Sequence, residues 1–356
     1  METIKIAGAG PAGLSAAINL ARKGYKVDVF EKNQDVGGRF HGDFQGLENW
    51  SDEKDVLLKL KEMNISINFD QYPFKNLIIS NGMKNWDFKC DIPAFYLIKR
   101  GSAIGSLDNG LKKQALDKGV HIHFETVLHE SQADIVATGP YAPEKFATAR
   151  GIVFQTNLKD LAIGLVNDKT AVKGYSYLLV AQGQATMGTV LFDKFKNLNR
   201  CFQETKRMFN QLVDPDIINP HPMGGLGSFS LCNIFKKKRR LYAGEAAGLQ
   251  DLLWGFGIKN AITSGFLAAK SIINGENYEK TAKNYFNQKL KASLVNRFLW
   301  EKFGIKNYEF IVNQIHSARD PLKYLNWIHN FNILQNMIYP MALRYMRERY
   351  RNLRLE

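Results

Sequence analysis

The beginning of this 356-residue chain carries the pattern that most constrains its fold. An apolar run over residues 4–7 predicts a buried strand, and after it come Gly8, Gly10 and Gly13. The segment that follows places apolar residues on one face, which predicts a helix. A second apolar run then ends at Glu31. The order strand, glycine-rich turn, helix, strand predicts the first unit of a Rossmann-type sheet.

Each residue type in this unit suits the binding of a dinucleotide. Gly8 permits a tight turn, Gly10 lets the backbone approach a pyrophosphate, and Gly13 lets helix and strand pack closely. The N–H groups at the helix N-terminus, which begins at Ala12, can receive the phosphate charge. The Glu31 carboxylate can accept hydrogen bonds from a ribose diol. The alternative is a glycine-rich turn with an accidental acid downstream, but the context favours a dinucleotide site.

Net charge and cysteine usage restrict the partners and the compartment. The formal net charge of +14 favours anionic partners such as phosphates, nucleic acid or a membrane surface. We expect no nucleic-acid partner, because no RNP or zinc-finger spacing accompanies the charge. Cys90, Cys201 and Cys232 form no C-x-x-C pair, which indicates inert thiols in a reducing compartment. With neither a signal peptide nor an apolar run of membrane-spanning length expected, we predict a cytoplasmic protein that can contact the inner face of the membrane peripherally.

A second glycine-rich loop follows the first unit. Lys32 comes directly after Glu31, and Gly37 and Gly38 precede Arg39. Such a loop can pass a bound cofactor while the guanidinium reaches a phosphate, although a solvent-exposed turn is the alternative. With this continuation, the unit resembles FAD-dependent oxidoreductases of the glutathione-reductase-like flavoprotein superfamily. The resemblance implies that the cofactor is FAD, that Glu31 and Arg39 contact its AMP half, and that Lys32 and Gly38 lie beside it.

Residues 96–127 predict a strand, a helix and a strand. They resemble a segment of flavoproteins of the aromatic-hydroxylase and geranylgeranyl-reductase types. The resemblance implies that Arg100 approaches the cofactor and that the backbone of Val127 holds the adenine. This sequence has extra residues between Arg100 and Leu107 compared with that pattern. An apolar strand over residues 133–139 is expected to close the cofactor-binding sheet.

Short strand-like runs over residues 151–192, followed by a helix from about residue 197 to 212, predict an antiparallel sheet. Within it, Gly174 to Leu179 resembles the G-Y-x-W-x-F-P stretch that lines the isoprenoid cavity of geranylgeranyl reductases. Tyr177 replaces the tryptophan, Leu179 replaces the phenylalanine, and the proline is missing. Tyr175 and Tyr177 should share one face of a strand, where they either face substrate or simply pack in the core.

A third glycine-rich segment resembles the closing G-D-A-A-G…G-x-G-I motif of geranylgeranyl reductases and related hydroxylases. Glu245 stands in the place of the usual aspartate, where a carboxylate can hold a ribityl or ribose hydroxyl of the cofactor, and a helix begins near Gly257 and Ile258. N–H groups at that helix start can stabilise negative charge on a reduced flavin. Trp254 and Phe256 are expected in the wall beside the flavin, with Phe256 replacing a commonly polar residue.

These features predict an α/β protein in which a Rossmann-type FAD-binding domain carries an inserted antiparallel-sheet substrate domain and a helical C-terminal region. The predicted FAD-binding domain comprises residues 1–70, 95–140 and 235–275. The substrate domain comprises residues 71–94 and 141–234, and residues 276–356 form the helical region. The last helix is expected to be broken near Pro340. Its mixture of apolar and basic residues is typical of interfacial helices, but also of an amphipathic helix packed on the core.

The predicted activity is an FAD-dependent reduction of carbon–carbon double bonds in an isoprenoid or lipid-like substrate. Flavin monooxygenase chemistry on an aromatic or polyketide-like molecule is the main alternative; a flavin oxidase or desaturase and a non-enzymatic prenyl-binding protein are further ones. Because no second nucleotide motif is present, transient NAD(P)H or a reduced protein partner should supply electrons. No residue stands out as a general acid. His121 and His123 lack a third ligand, so we expect no metal site. The oligomeric state stays open.

Overall fold

The computed structural model describes residues 3–140, 146–227, 231, 233–304 and 306–355. Cys232 lies outside these residues. The strands of the described residues, in chain order, are β1 (Ile4–Ala7), β2 (Val27–Phe30), β3 (Phe44–Glu48), β4 (Gln71–Phe74), β5 (Asn76–Ser80), β6 (Asn85–Lys89), β7 (Phe95–Lys99), β8 (His121–His123), β9 (Ile135–Val136), β10 (Ala147–Gln155), β11 (Leu161–Leu165), β12 (Tyr175–Ala181), β13 (Gln184–Leu191), β14 (Ile218–Gly227), β15 (Lys236–Lys237) and β16 (Arg240–Tyr242).

The α-helices of the same residues are α1 (Pro11–Ala21), α2 (Val56–Glu62), α3 (Leu107–Asp117), α4 (Leu198–Val213), α5 (Ile258–Asn274), α6 (Tyr278–Phe303), α7 (Glu309–His316), α8 (Pro321–His329) and α9 (Ile333–Leu355). None of them is long and apolar enough to cross a membrane.

The first sheet has the order β15-β16-β9-β1-β2-β8 and is parallel except for β15. Its central strands bury Ile6, Val29 and Ile135 completely. Helices α1 and α5 pack together on this sheet so closely that a Cβ atom on Gly265 would lie 2.0 Å from the carbonyl oxygen of Ala12. The sequence therefore needs a glycine in the middle of α5. The expected Rossmann-type sheet is confirmed.

The second sheet has the order β14-β10-β13-β12-β11-β5-β6 and is antiparallel except for the pair β11–β5. Its core joins Leu178, Val180 and Met187 to Phe202 and Phe209 of α4, which covers one face. The expected antiparallel sheet and helical C-terminal region are likewise confirmed. Strands β3, β7 and β4 form a third, smaller antiparallel sheet.

Several elements differ from the sequence-based expectation. The strand expected within residues 119–127 contains only β8, because Glu125 adopts a left-handed backbone with φ of 52°. The strand expected over residues 133–139 contains only β9, and Gly139 turns the chain with φ of 83°. Strands β3, β4, β11, β14 and β15 were not expected. Of residues 71–94, β4 joins the third sheet, whereas β5 and β6 join the second.

The predicted break of the last helix at Pro340 is wrong, because α9 runs through it. A proline removes one backbone N–H from a helix, so the carbonyl oxygen four residues earlier loses its partner. Pro340 and Asn336 are both exposed. Water can therefore bond that oxygen, and the helix continues. The opposite face of α9 packs Ala342 and Met346 against Val295 of α6.

Candidate functional site

A cavity of about 690 Å³ lies along the carboxyl ends of the parallel strands and extends to the second sheet. We call the part formed by the loops after β1, β2, β9 and β16 the cofactor end. The remainder, the apolar chamber, lies between the second sheet and helices α7 and α8. Residues that line the cofactor end include Gly10, Glu31, Arg39, Thr138 and Glu245; residues that line the chamber include Leu77, Ile79, Ile163, Leu179, Trp254, Trp300, Val312, Ile315, Leu322 and Leu325.

The three glycines of the first turn meet different surroundings. A Cβ atom on Gly8, whose φ is +101°, would lie 2.4 Å from the carbonyl oxygen of Ala137. A Cβ atom on Gly13 would lie 2.0 Å from the carbonyl oxygen of Gly8. These two positions must be glycine for the fold itself. Around Gly10, which lines the cavity, a Cβ atom would meet nothing within 4 Å. The space beside Gly10 is thus a cradle that a side chain would fill and that a pyrophosphate fits.

Two helices begin at the cavity without a side-chain cap. Gly10 is the N-cap residue of α1 and Gly257 that of α5, and neither cap residue supplies a hydrogen bond from a side chain. Both glycines line the cavity, as do Ala12 and Ile258. The first N–H groups of a helix have no partner within the helix, and the helix dipole favours an anion there. Two separate helix N-termini, each of which favours an anion, therefore face one cavity.

Glu31 fastens the glycine-rich turn to the second strand. Its buried carboxylate accepts hydrogen bonds from the backbone N–H of Ala9 (3.0 Å) and from the backbone N–H of Asn33 (3.0 Å). The side-chain amide of Asn33 donates a third bond at 2.6 Å. Lys32 lines the cavity beside it. The contact of Glu31 with a ribose stays a prediction. The adenine contact of Val127 also stays a prediction, and this residue is 79% exposed and does not line the described cavity.

Arg39 and Glu245, predicted independently for the cofactor, meet each other at the cavity. Their side chains form an ion pair with distances of 3.1 Å (Nη2–Oε1) and 3.4 Å (Nη1–Oε2). The side-chain amide of Gln250 donates a hydrogen bond to the same carboxylate. Gly38 lines the cavity directly before Arg39. The loop after β2 and the loop after β16 are thereby joined at the cofactor end.

Arg100 also lines the cavity, but its guanidinium is occupied by protein groups. It donates from Nε and Nη2 to the carboxylate of Asp108 at 2.8 Å and 2.9 Å, and from Nη1 to Gln45 at 3.0 Å. Burial acts to lower the pKa of Arg100, but the charge of Asp108 outweighs it and raises the pKa. The guanidinium lies 4.1 Å from the ring centre of Phe40. Arg100 thus braces the loops around the cofactor end, and a direct contact with cofactor stays a prediction.

Two tyrosines of β12 lie on the same face and line the cavity, with ring centres 6.2 Å apart. The hydroxyl of Tyr175 donates a hydrogen bond to the backbone carbonyl of Trp254. The hydroxyl of Tyr177 has no hydrogen-bond partner within the described part of the chain. Burial raises the pKa of both phenols, and the nearby charge of Asp43 adds to the effect at Tyr177. Tyr177 therefore presents a neutral O–H group to the cavity.

Asp43 is a cavity-lining acid that the sequence analysis missed. Its carboxylate accepts hydrogen bonds from the backbone N–H of His41 (3.0 Å) and the side-chain amide of Gln45 (3.1 Å). Burial raises the pKa of Asp43 despite these bonds and despite the charge of Arg100. No local pattern in the sequence marks this residue, because its burial depends on strands that meet only in the folded chain.

Aromatic rings line the cavity beside the place where its two parts meet. The ring centre of Trp50 lies 4.9 Å from that of Phe256 and 5.8 Å from that of Trp254, both edge-on. The Trp254 ring also lies 5.8 Å from His329 and 6.1 Å from Trp300. The sequence predicted Trp254 and Phe256 for this wall. Trp50, which completes it, was missed.

A buried ionic cluster lies beside this wall. Lys259, in the first turn of α5, contacts Glu48 at 2.5 Å and Asp52 at 2.9 Å. Lys59 and Lys289 reach the same Asp52 carboxylate at 2.7 Å and 3.0 Å. Burial acts to raise the pKa of Glu48 and of Asp52, but Lys259 and the other ammonium groups outweigh it and lower both. The cluster ties α5 to the segment that carries Trp50.

Metal-ligating side chains are not grouped in the described ranges: no three His, Cys, Asp or Glu residues there could hold an ion together. The exposed His123 lies 3.3 Å from Asp28 on the neighbouring strand.

Comparisons with known proteins agree with this geometry. Residues 6–46 match the family described as NAD(P)-binding Rossmann-like domain. The chain is 54% identical over 41 residues to the 1-hydroxycarotenoid 3,4-desaturase of a Flavobacterium species, which is 12% of this chain and 8% of that enzyme. It is 60% identical over 37 residues to the all-trans-zeta-carotene desaturase of Myxococcus xanthus, 10% of this chain and 7% of that enzyme. The matches thus span less than a tenth of these relatives.

Similarity to solved structures extends over the whole chain. A geranylgeranyl bacteriochlorophyll reductase-like protein of Thermoplasma acidophilum superimposes with a TM-score of 0.70 at 18% identity, covering 98% of this chain and 99% of that one. A flavin-dependent brominase superimposes with a TM-score of 0.65 at 16% identity, covering 99% and 100%. The likeness expected from the sequence is therefore confirmed at the level of the fold: this chain shares its fold with a geranylgeranyl reductase-like protein, a flavin-dependent brominase and an oxygenase.

Proposed function

We propose that this protein binds FAD and reduces carbon–carbon double bonds of an isoprenoid or lipid-like substrate. One observation carries the proposal: a single cavity runs from the glycine-rich turn to a chamber walled by aliphatic and aromatic side chains. A dinucleotide and a hydrophobic molecule can therefore meet in one continuous cavity. Such a space, largely apolar with a few convergent polar groups, is typical of cofactor and ligand sites.

The residues of the cofactor end fit FAD. The cradle at Gly10 and the uncapped start of α1 suit a pyrophosphate, and the uncapped start of α5 at Gly257 suits a second negative position. Glu31, Arg39 and Glu245 line the same end of the cavity and provide hydrogen-bonding groups there. When bound, FAD supplies hydride transfer, and transient NAD(P)H or a reduced protein partner would recharge it. The names of the carotenoid desaturases support the cofactor more than the substrate, because the matches cover only the glycine-rich unit.

The chamber would orient the substrate and handle a proton. Its aliphatic wall would exclude water and hold an extended apolar chain, and Trp254 and Phe256 would contact that chain beside the second helix start. Reduction of a double bond needs a proton as well as a hydride. We assign this role to Tyr177 and Asp43, since both line the cavity and burial raises the pKa of each group. The Tyr177 hydroxyl would donate the proton, and Asp43 would help to restore it.

A flavin monooxygenase is the second candidate. The fold is shared with a 2-methyl-3-hydroxypyridine-5-carboxylic acid oxygenase, at a TM-score of 0.54, as well as with the brominase. The same chamber could hold an aromatic or polyketide-like molecule.

Anaerobic reduction of the purified protein distinguishes these functions. The protein should carry the visible absorbance of an oxidised flavin, and this band should bleach on reduction. Mixing the reduced protein with a geranylgeranyl lipid in the absence of air should restore the band and yield lipid with fewer double bonds. Rapid reoxidation by air with hydroxylated product, and none by the lipid, would establish the monooxygenase instead. A folded protein that binds no flavin would contradict both.

A further inference from the structure

Helix α9 exposes a continuous apolar stripe in its first half. Ile333 and Met337 are 78% and 75% exposed, and Leu334 and Met341 are each more than half exposed. Their spacing of three, four or seven residues places them on one helix face. The opposite face is fixed, since Ala342 is fully buried against α6. The stripe is therefore held outward by the packing of the same helix, and such contiguous apolar surface usually marks an interaction site.

The same face of α9 becomes basic in its second half. Arg344, Arg347 and Arg351 follow Met341 at helical spacing and are exposed. One exposed acid, Glu348, lies among them and forms an ion pair with Arg344 at 3.2 Å, so the basic residues outnumber it three to one. Helix α8 adds Lys323 and Trp327, both exposed, beside the start of the stripe. The side chain of Asn332 donates a hydrogen bond to the carbonyl of Trp327 at 3.3 Å, which joins the end of α8 to the start of α9. Apolar residues, a tryptophan and flanking basic residues are the combination found where helices lie in a membrane interface.

We propose that this surface binds an anionic lipid bilayer. We call it the docking face, and it consists of Ile333, Leu334, Met337, Met341, Trp327, Lys323, Arg344, Arg347 and Arg351. Its apolar half would enter the acyl boundary while its arginines pair with lipid phosphates. The net charge of +14 favours an anionic partner over a second copy of the chain, whose own arginines and equal charge would repel these.

The docking face also lies next to the apolar chamber. Leu322 and Leu325 of α8 line the chamber, whereas Lys323 and Trp327 of the same helix are exposed. A lipid that leaves the bilayer would therefore have only one helix between it and the cavity. The passage of a lipid from the bilayer into the cavity rests on the proposed function, but binding to vesicles does not. A failure to bind vesicles is therefore distinguishable from a failure to reduce the lipid.

Vesicle flotation with the purified full chain tests the proposal. The protein should float with vesicles of phosphatidylcholine that contain phosphatidylglycerol, less with phosphatidylcholine alone, and less as salt rises. The double variant Met337→Glu/Met341→Glu should lose binding. Arg344→Gln should lower the partition about fivefold, because one basic residue at an anionic surface is worth about that factor. The control Ile104→Glu changes an even more exposed apolar residue that lies outside α8 and α9, and it should bind as the wild type does.

Circular dichroism verifies that each variant is folded. If the glutamate double variant does not fold, the Arg344→Gln variant still tests the proposal, because this side chain is exposed and buries nothing in the core. Absence of wild-type binding to the anionic vesicles would overturn the proposal. So would equal loss in the Ile104→Glu control, or unchanged binding in both docking-face variants. If the wild type dimerises without lipid and the double variant is monomeric, the occupant is a second copy and the proposal is wrong.

Discussion

The two ends of the cavity are built in different ways. At the cofactor end, the glycine-rich turn is held by contacts within one short unit: the Gly13 backbone approaches Gly8, and Glu31 accepts from Ala9. The apolar chamber takes its wall from β5, β11, β12, α6, α7 and α8, which lie far apart in the chain. Backbone geometry therefore specifies the first end, and side-chain packing specifies the second. A substitution at the cofactor end should therefore act by filling space beside the backbone. A substitution in the chamber should act through the functional group that it removes.

Substitutions at two neighbouring glycines should separate fold from cofactor binding. Gly13→Val places a Cβ atom 2.0 Å from a backbone oxygen, so we expect the free energy of unfolding to fall by about 3 kcal/mol or more. A Cβ atom at Gly10 would meet nothing within 4 Å, and the φ of −80° suits any residue, so we expect Gly10→Val to change the free energy of unfolding by less than about 1 kcal/mol. Because valine would fill the cradle, FAD affinity should fall about 100-fold or more, the effect of losing hydrogen bonds to a charged group.

Urea unfolding and flavin titration of both variants measure these two effects. A Gly10→Val protein with full flavin occupancy would refute the assignment of the cradle to the pyrophosphate. Equal destabilisation by both variants would break the distinction between the two glycines.

Removing the ammonium group of Lys259, which ties α5 to the segment that carries Trp50, should lower the free energy of unfolding by a similar amount. Lys259→Met leaves Glu48 and Asp52 buried with fewer partners, so we expect the free energy of unfolding to fall by about 3–5 kcal/mol near neutral pH. The control Lys54→Met breaks only an exposed ion pair with Glu62 and should change it by less than about 1 kcal/mol.

The pH dependence of this loss has a definite sign. Because the pKa values of Glu48 and Asp52 are lower in the folded protein than in the unfolded chain, their contribution is complete above the unfolded value of about 4. It disappears as the pH falls through the folded values. The difference between wild type and Lys259→Met should therefore shrink below about pH 4. A difference that grows on acidification would show that the cluster does not hold these carboxylates ionised.

The same contrast explains what the sequence could and could not predict. The glycine spacing, Glu31 and the start of α5 at Ile258 follow local rules, and the structure places them at one cavity as expected. Arg39 and Glu245 were each assigned to the cofactor, but their mutual ion pair required knowing how two distant loops meet. Trp50 carries no local signal at all. Its position depends on β3 and on the ionic cluster that follows it.

Strand boundaries show a similar limit. Strand β14 was not predicted, because its glycines lack the alternating pattern of a half-buried strand. The strand forms because its backbone pairs with β10, and not because of the pattern of its side chains. Helix α9 was predicted to break at Pro340, since the effect of exposed surroundings on a proline cannot be read from the residue itself.

In the chamber, the functional group of a side chain rather than its size should determine the effect of a substitution on turnover. Tyr177→Phe removes the free hydroxyl, and we expect turnover of a geranylgeranyl lipid to fall about 100-fold, as for loss of a general acid, with FAD affinity unchanged. Tyr175→Phe is the matched control, because its hydroxyl is already bonded to the Trp254 carbonyl, and turnover should change by only a few fold. Equal losses in both variants would indicate a packing role for the two tyrosines.

Asp43 offers a second measurement of the same proton path. Because burial raises its pKa, a role in holding the proton requires that turnover declines as the pH rises through that value. Asp43→Asn should remove this decline. A variant with the wild-type pH profile would exclude Asp43 from the path.

The smallest effect is expected where the cofactor end depends on a side chain rather than on the backbone. Glu245→Ala removes one carboxylate from the cavity and frees Arg39, and we expect FAD affinity to fall about tenfold, the effect of one hydrogen bond to a charged group. Glu204→Ala, which breaks an exposed pair with Arg207 on α4, should leave the affinity unchanged. If titration shows the same affinity for Glu245→Ala and wild type, the carboxylate serves only to hold Arg39, and cofactor recognition at this end rests on backbone N–H groups alone.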